Sequence, residues 1–326
     1  MKNRRIPTCP PIIQPRSDGE QRPLWSVMIP CFNNIDTLEQ AMKSVLSQNW
    51  PDKEMEIVVV DDFSQDQNSV RDVVAMVGKG RVGFFAQSTN VGSLRNFETC
   101  ISEAKGKLVH LLHADDYVHP GFYDKMASLF SAHPQIGAGF CHYLQVDENG
   151  AFLSEAQLQQ EFPGILPDWL NRITQAQHIQ VASMVVKREV YEHLGAFHSV
   201  IYGEDWEMWV RIAAHYPVGY LPETLASYRV HEASISGRTV RNGYNFRDLR
   251  KVINLNQQYL TGGNKIKNKR ISCRYYADMG MATAADSLSK GDLKAARAQM
   301  LQAMLLYRDW RFFKKAMLKY IRTFQT

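Results

Sequence analysis

MEIVVVDDFSQD, Met55–Asp66, runs three valines straight into two adjacent carboxylates. The apolar part does not alternate with polar residues, the pattern of a strand covered on both faces, as strands of a parallel sheet are. KLVHLLHADD, Lys107–Asp116, repeats the arrangement. Working outward, LWSVMIP (24–30) reads as the first strand, and RVGFFAQ (81–87) as the third. Between them DTLEQAMKSVLSQ (36–48) sets Leu38, Met42, Val45 and Leu46 on one helical face, with Asp36 as N-cap and Glu39 three residues on. Further helices fall near 68–77 and in GSLRNFETCISEA (92–104), and KLVHLLH is the fourth strand. Alternation of this kind predicts an α/β fold with a doubly wound, mostly parallel central sheet flanked by helices.

Downstream, the pattern gives a helix over 121–133, a strand in IGAGFCHYLQV (136–146) and a turn at DENG. A less regular stretch precedes IQVASMVV (179–186) and the helix REVYEHLG (188–195). Another helix carries Trp206, Trp209, Val210 and Ala213 at helical spacing. ATAADSLSKGDLKAARAQMLQAMLLY reads as a helical hairpin, Gly291 stopping one helix and Asp292 capping the next. The expected organisation is an irregular, proline-rich arm over 1–23, the sheet domain over 24–237 and a basic helical region over 238–326.

With 326 residues, 45% of them hydrophobic, the chain can bury a substantial core, which excludes wholesale disorder. Five cysteines, odd in number and without a Cys-x-x-Cys pair, argue against a disulfide framework or a zinc site and for reduced thiols in a cytosol. No apolar run approaches the ~20 residues of a spanning helix, and no signal-peptide core is present. The net charge of +5 hides an asymmetry: residues 238–326 hold 19 Lys and Arg against 5 Asp and Glu, leaving the first 237 residues at −9. Such a basic region fits either an anionic partner or a solvated helical face.

In open α/β sheets, ligands collect beyond the carboxyl ends of the strands. Asp61–Asp62 and Asp115–Asp116 both stand there. If they line one cleft, their repulsion calls for a hard divalent cation, which commonly bridges to substrate phosphates. The competing reading makes either pair a turn or a helix cap.

WSVMIPCFNN, EIVVVDDFSQD, NVGSLRN, LLHADD, GEDWEMWVRIA and YRVHEASIS follow one another in the order and spacing of the inverting glycosyltransferases of family 2. The chain resembles that family over about residues 24–236. The resemblance implies a GT-A fold with a C-terminal helical extension outside it. It implies that main chain near Pro30 and the ring of Phe32 hold the donor's base, with Asp61 accepting from a uracil N–H. Arg95 would reach the base or phosphates, Asp115 and Asp116 the ribose and a Mn²⁺ or Mg²⁺ ion. Asp205 would be the catalytic base, drawing the proton from the acceptor hydroxyl in a single in-line displacement; an N-cap role competes for it. Arg229 and His231 match the late basic motif, the first facing diphosphate and the second completing the metal shell. His113 departs from the commonest Asp-x-Asp-Asp form of the metal motif.

In the tail, Trp310, Phe313, Met317, Tyr320, Ile321 and Phe324 recur at spacings of three and four among Arg and Lys. Residues 307–324 could lie in an anionic membrane interface or pack on the chain's own domain or on a second copy. The expected function is transfer of a sugar, from a UDP-sugar in first choice, to a carbohydrate or lipid-linked acceptor in surface polysaccharide assembly. The setting is the cytoplasm or the inner face of the membrane, without nucleic acid. A nucleotidyltransferase would want a glycine-rich phosphate loop after the first strand, and IPCFNNIDT has none. The alternative from another class is a catalytically inactive sugar-nucleotide or partner-binding module with a helical interaction domain.

Overall fold

The computed structural model describes residues 5–16, 21–231 and 234–322, which form two compact units. The first comprises residues up to 169 together with 178–199 and 212–230; the second comprises 170–177, 200–211 and 231 onward.

In the first unit, β1 (Trp25–Cys31), β2 (Met55–Asp61), β3 (Gly83–Ala86) and β4 (Leu108–Leu111) form a parallel block ordered β3-β2-β1-β4. All seven residues of β1 are buried, as the unbroken apolar run requires. Helices α1 (Ile35–Leu46), α2 (Gln67–Gly78) and α3 (Ser93–Glu103) make the crossovers. Chain order reverses direction at β1, whose neighbours are β2 on one side and β4 on the other, so the switch point of the sheet falls there.

The sheet is mixed beyond β4. Following β5 (Tyr117–Val118), α4 (Phe122–Ala132), β6 (Ala138–Val146), β7 (Phe152–Glu155), β8 (Gly164–Ile165) and α5 (Trp169–Ile173), strand β9 (Met184–Lys187) enters between β4 and β6, antiparallel to both. After α6 (Arg188–Leu194) and α7 (Glu204–His215), the long β10 (Val218–Arg229) lies parallel to β6. It carries β5 and β8 antiparallel on its other side.

Helix ends follow local chemistry. Asp66 caps α2 by accepting from Ser69 N at 3.0 Å. Asp36, expected to cap α1, lies instead in its first turn. The helix begins earlier, at the cap residue Asn34, whose Oδ1 takes the Thr37 hydroxyl at 2.9 Å.

Among the described residues the N-terminal arm has no regular elements, and it is pinned to the rest of the first unit. Ile13 is fully buried, Ala196 N donates to Pro11 O at 3.0 Å, and Ser199 N donates to Pro7 O at 2.8 Å.

The second unit is helical: α8 (Ile235–Arg241), α9 (Asn245–Asn256), α10 (Gly262–Ser289), α11 (Leu293–Leu306) and α12 (Trp310–Arg322). The hairpin turns where the sequence places it. Gly291 takes φ +75°, a left-handed backbone open to glycine, and Asp292 caps α11 through Ala295 N at 3.0 Å. The side expected to be the apolar stripe of α12 is split: Phe313 and Ala316 turn inward, whereas Trp310 and Met317 are exposed. Phe324 lies outside the described residues.

Candidate active site

Parallel pairing of β2 and β4 with β1 brings both carboxylate pairs to one edge of the sheet, with only the end of β1 between them. The two pairs then part company chemically.

At β2 the charges are met by the protein itself. Asp61 is fully buried, and its carboxylate accepts from Ser64 N at 3.0 Å, from the Ser64 hydroxyl and from Gln67 Nε2 at 3.0 Å. Ser64 Oγ in turn accepts Asn33 N at 2.8 Å, and Asn33 Oδ1 accepts Gln65 N at 2.8 Å, lacing the loop after β1 to the loop after β2. Asn33 and Phe63 hold φ of +52° and +60° in these loops, an uncommon backbone for residues other than glycine and one that gathers at ligand sites.

Asp62, 3% exposed, accepts Val91 N at 2.7 Å, Gly92 N at 2.9 Å and Asn90 Nδ2 at 3.0 Å. Burial pushes its carboxyl up, the two N–H groups and Arg5 of the arm pull it back, and Asp61 adds repulsion. Gly92 takes φ +92° to present its N–H there.

At β4 the arrangement differs. The turn holds His113, Asp115 and Asp116 with one ligand atom of each within 4.8 Å of the others. Asp116 is 1% exposed; its Oδ1 accepts Arg229 N at 2.8 Å, while its Oδ2 is buried without a hydrogen-bond partner among the described residues. Burial and the Asp115 charge drive this carboxyl well above the usual range, against the pull of Arg229. His113 Nε2 is likewise buried and unpartnered, its ring stacked on Phe97 at 5.1 Å and 14°. Orphaned buried polar atoms of this kind cost free energy unless something fills the gap. Two carboxylates and an imidazole suit a divalent ion.

Among the residues expected at the site, Pro30 is buried in β1 beside Val60, and Phe32 stands 47% exposed just past the strand. Arg95 occupies the first turn of α3, ion-paired with Glu98 at 2.5 Å. Arg229 is buried at the end of β10. Its guanidinium donates to Asp115 O (2.9 Å), Asp147 O (3.1 Å), Glu148 O (2.8 Å) and Gln40 Oε1 (2.6 Å). Four protein acceptors leave little of its five N–H groups for a phosphate; the side chain shapes the Asp115–Asp116 turn.

His113, set aside in sequence as a departure from the motif, joins the cluster. Its signal was its place in the same His-x-Asp-Asp turn as the two carboxylates.

Asp205 belongs to the second unit, in the first turn of α7 and not at its N-cap. Its Oδ1 accepts Trp206 N at 2.7 Å and its Oδ2 accepts Gln177 Nε2 at 2.7 Å. Burial pushes its carboxyl up to about 6, with those two donors pulling back. Glu204 beside it is driven well above its ordinary value by burial and by repulsion from Asp205 and Asp248. Asp248 accepts Ile201 N and Tyr202 N, each at 3.1 Å, and so fixes the loop that leads into α7. His231, also in this unit, accepts Ser234 N and the Ser234 hydroxyl through its main-chain oxygen.

A switch-point sheet with acidic turns at its carboxyl edge defines the class of α/β enzymes that bind nucleotides there. The profile of Glycosyl transferase family 2 matches residues 26–195, and the chain belongs to that family; it is a glycosyltransferase. An uncharacterised protein of Mycobacterium tuberculosis is 25% identical over 252 residues, covering 71% of this chain and 75% of that one. An uncharacterised glycosyltransferase of Methanocaldococcus jannaschii is 25% identical over 214 residues, 64% of this chain and 71% of that one. The fold is similar to S. aureus TarS 1–349 in complex with UDP-GlcNAc, at TM-score 0.61 and 15% identity over 87% of this chain and 92% of that one. It is also similar to the mannosyltransferase PcManGT of Pyrobaculum calidifontis in complex with GDP-Man and Mn²⁺, at TM-score 0.55 and 17% identity over 92% and 89%. Among the described residues no helix is long and apolar enough to cross a membrane.

Proposed function

We propose that the chain is an inverting, metal-dependent glycosyltransferase. It moves a sugar from a nucleotide donor, a UDP-sugar before a GDP-sugar, to a hydroxyl of a carbohydrate or lipid-linked acceptor in surface polysaccharide assembly at the cytoplasmic side of the membrane. The observation that carries this reading is the pair of buried polar atoms, Asp116 Oδ2 and His113 Nε2, that have no hydrogen-bond partner among the described residues, beside Asp115 on the carboxyl edge of the sheet.

Asp115, Asp116 and His113 would hold a Mn²⁺ or Mg²⁺ ion, with His231 as a further ligand on the strength of the late motif. When bound, the ion supplies positive charge against the departing nucleoside diphosphate. The complexes of TarS with UDP-GlcNAc and of PcManGT with GDP-Man and Mn²⁺ support a nucleotide-sugar donor and a metal.

The chain's own residues do the rest. Phe32, exposed past β1, offers a face to the base beside the Pro30 main chain. Asp61 holds the following loop rigid through Ser64 and Gln67, with Arg95 as the cation on the α3 side. Asp205 takes the proton from the acceptor hydroxyl as that oxygen attacks the anomeric carbon. A carboxyl pushed up to about 6 is still ionised at neutral pH yet more basic than an ordinary aspartate, as a general base should be. Its two hydrogen bonds fix its orientation.

The test is release of UDP or GDP from a donor panel with Mn²⁺ present. Turnover by the wild type, lost in Asp205→Asn and in Asp116→Asn, is the expected result. Donor binding without turnover would refute the reading in favour of a binding module.

A further inference from the structure

We infer that the outer face of α11, continued by Trp310, is a docking surface for an anionic lipid bilayer. Helix α11 is packed inside out. Its buried positions are Ala295, Ala296, Gln299 and Ala303, small or polar. Its large apolar side chains point outward: Leu293 (57% exposed), Met300 (36%), Leu301 (56%), Met304 (36%) and Leu305 (45%).

The inversion has a local cause. Helices α10 and α11 approach so closely that a Cβ on Gly280 would lie 3.2 Å from that of Ala303 and 2.5 Å from the Phe246 ring. Gln299 Nε2 meanwhile bonds Val240 O and Asn245 Oδ1. Large side chains therefore have no room on the inner seam. Contiguous exposed apolar surface marks an interaction site.

The charge around this face selects the occupant. From Leu293 to Lys314 the charged residues are Lys294, Arg297, Arg308, Arg311 and Lys314 against Asp309 alone. Asp309 is spent on capping α12, its Oδ1 accepting Arg311 N at 2.9 Å and Phe312 N at 3.2 Å. Placed symmetrically against a second copy, the face would meet the same cations and repel it. An anionic leaflet supplies the opposite sign, takes methionine and leucine into its acyl boundary, and lets Lys294 and Arg297 reach headgroups from the same helix. Trp310, 69% exposed at the start of α12, is the residue type that settles at such an interface.

The experiment is co-sedimentation of the full chain with phosphatidylcholine vesicles, with and without phosphatidylglycerol, at low and high salt. The wild type should bind only the anionic vesicles, and should bind them less at high salt. Leu301→Glu combined with Met304→Glu should lower the partition about tenfold or more, as should Arg297→Glu with Arg308→Glu. Far-UV circular dichroism should be unchanged, because all four side chains are exposed. Failure of the wild type to bind anionic vesicles at low salt overturns the inference, as does binding that both variants retain. A dimer in light scattering that Leu301→Glu with Met304→Glu converts to monomer also overturns it, since the face would then belong to a second copy. None of these readouts involves sugar transfer, so their failure leaves the proposed reaction standing.

Discussion

Replacing Asp62 by alanine isolates what the first carboxylate pair is for. The side chain is 3% exposed, and it receives two main-chain N–H groups, from Val91 at 2.7 Å and Gly92 at 2.9 Å, together with Asn90 Nδ2 at 3.0 Å. Truncation strands both main-chain donors in a site too enclosed for ready replacement by water. A buried donor left unsatisfied costs about 1–3 kcal/mol, so the pair amounts to about 2–6 kcal/mol. Part of this returns because burial already taxes the ionised carboxylate, as its raised pKa records. A net loss of about 2–4 kcal/mol is expected. Asp66→Ala is the internal reference: that exposed aspartate caps α2 through Ser69, and its removal should cost clearly less. Urea unfolding of the two variants at neutral pH, followed by tryptophan fluorescence, measures the difference. An Asp62→Ala loss no larger than that of Asp66→Ala would show that the carboxylate is not the clamp on the loop before α3.

Three further outcomes follow from the same geometry. Asp205→Asn should abolish transfer while holding or raising stability. A carboxyl whose pKa is raised from 3.8 to about 6 adds stability below pH 4 that is lost as pH rises through 6, so the wild type should lose ground to the variant across that window in denaturation series. For the same reason kcat/KM should climb with pH to a plateau above about 6, and a pH-independent rate below that value would remove Asp205 from the base role. An imidazole among the metal ligands favours Mn²⁺ over Mg²⁺; His113→Ala should weaken Mn²⁺ binding about tenfold or more by calorimetry, with Mg²⁺ much less affected. Arg188, 1% exposed, binds Ile101 O and Gln14 O and pairs with Glu192 at 3.0 Å, so Arg188→Ala should cost about 3–5 kcal/mol and open the N-terminal arm to limited proteolysis.

The parallel block was legible because strands covered on both faces write near-continuous apolar runs, as Val58–Val60 does and as Leu108–Leu112 does with only His110 inside it. Strand β9 falls in IQVASMVV, which the sequence marks only as the end of a less regular stretch, and its antiparallel insertion between β4 and β6 depends on long-range pairing that no local pattern encodes. Carboxylates at strand ends could be located but not sorted. Asp62 and Asp116 look alike in sequence, and only the main-chain N–H groups of Val91 and Gly92 separate the first from the second, whose Oδ2 has no hydrogen-bond partner among the described residues. Arg229 reads as a phosphate cation until its carbonyl partners are seen. Helical period identified α11 and α12, but periodicity cannot say which side of a helix with apolar residues on several faces is the inner one. In α11 the Gly280–Ala303 approach decides it.

The pinned arm has a consequence for how the chain is made. Gln14 is synthesised early, and the guanidinium that holds it comes 174 residues later. Ile13 therefore leaves the ribosome long before its socket exists, and its docking closes one of the largest loops in the first unit, a slow kind of contact. Arm closure should be a late event in refolding, reporting that residues 188–199 have already found their place. Removing residues 5–16 as though they were a dispensable leader would leave that part of the core uncovered.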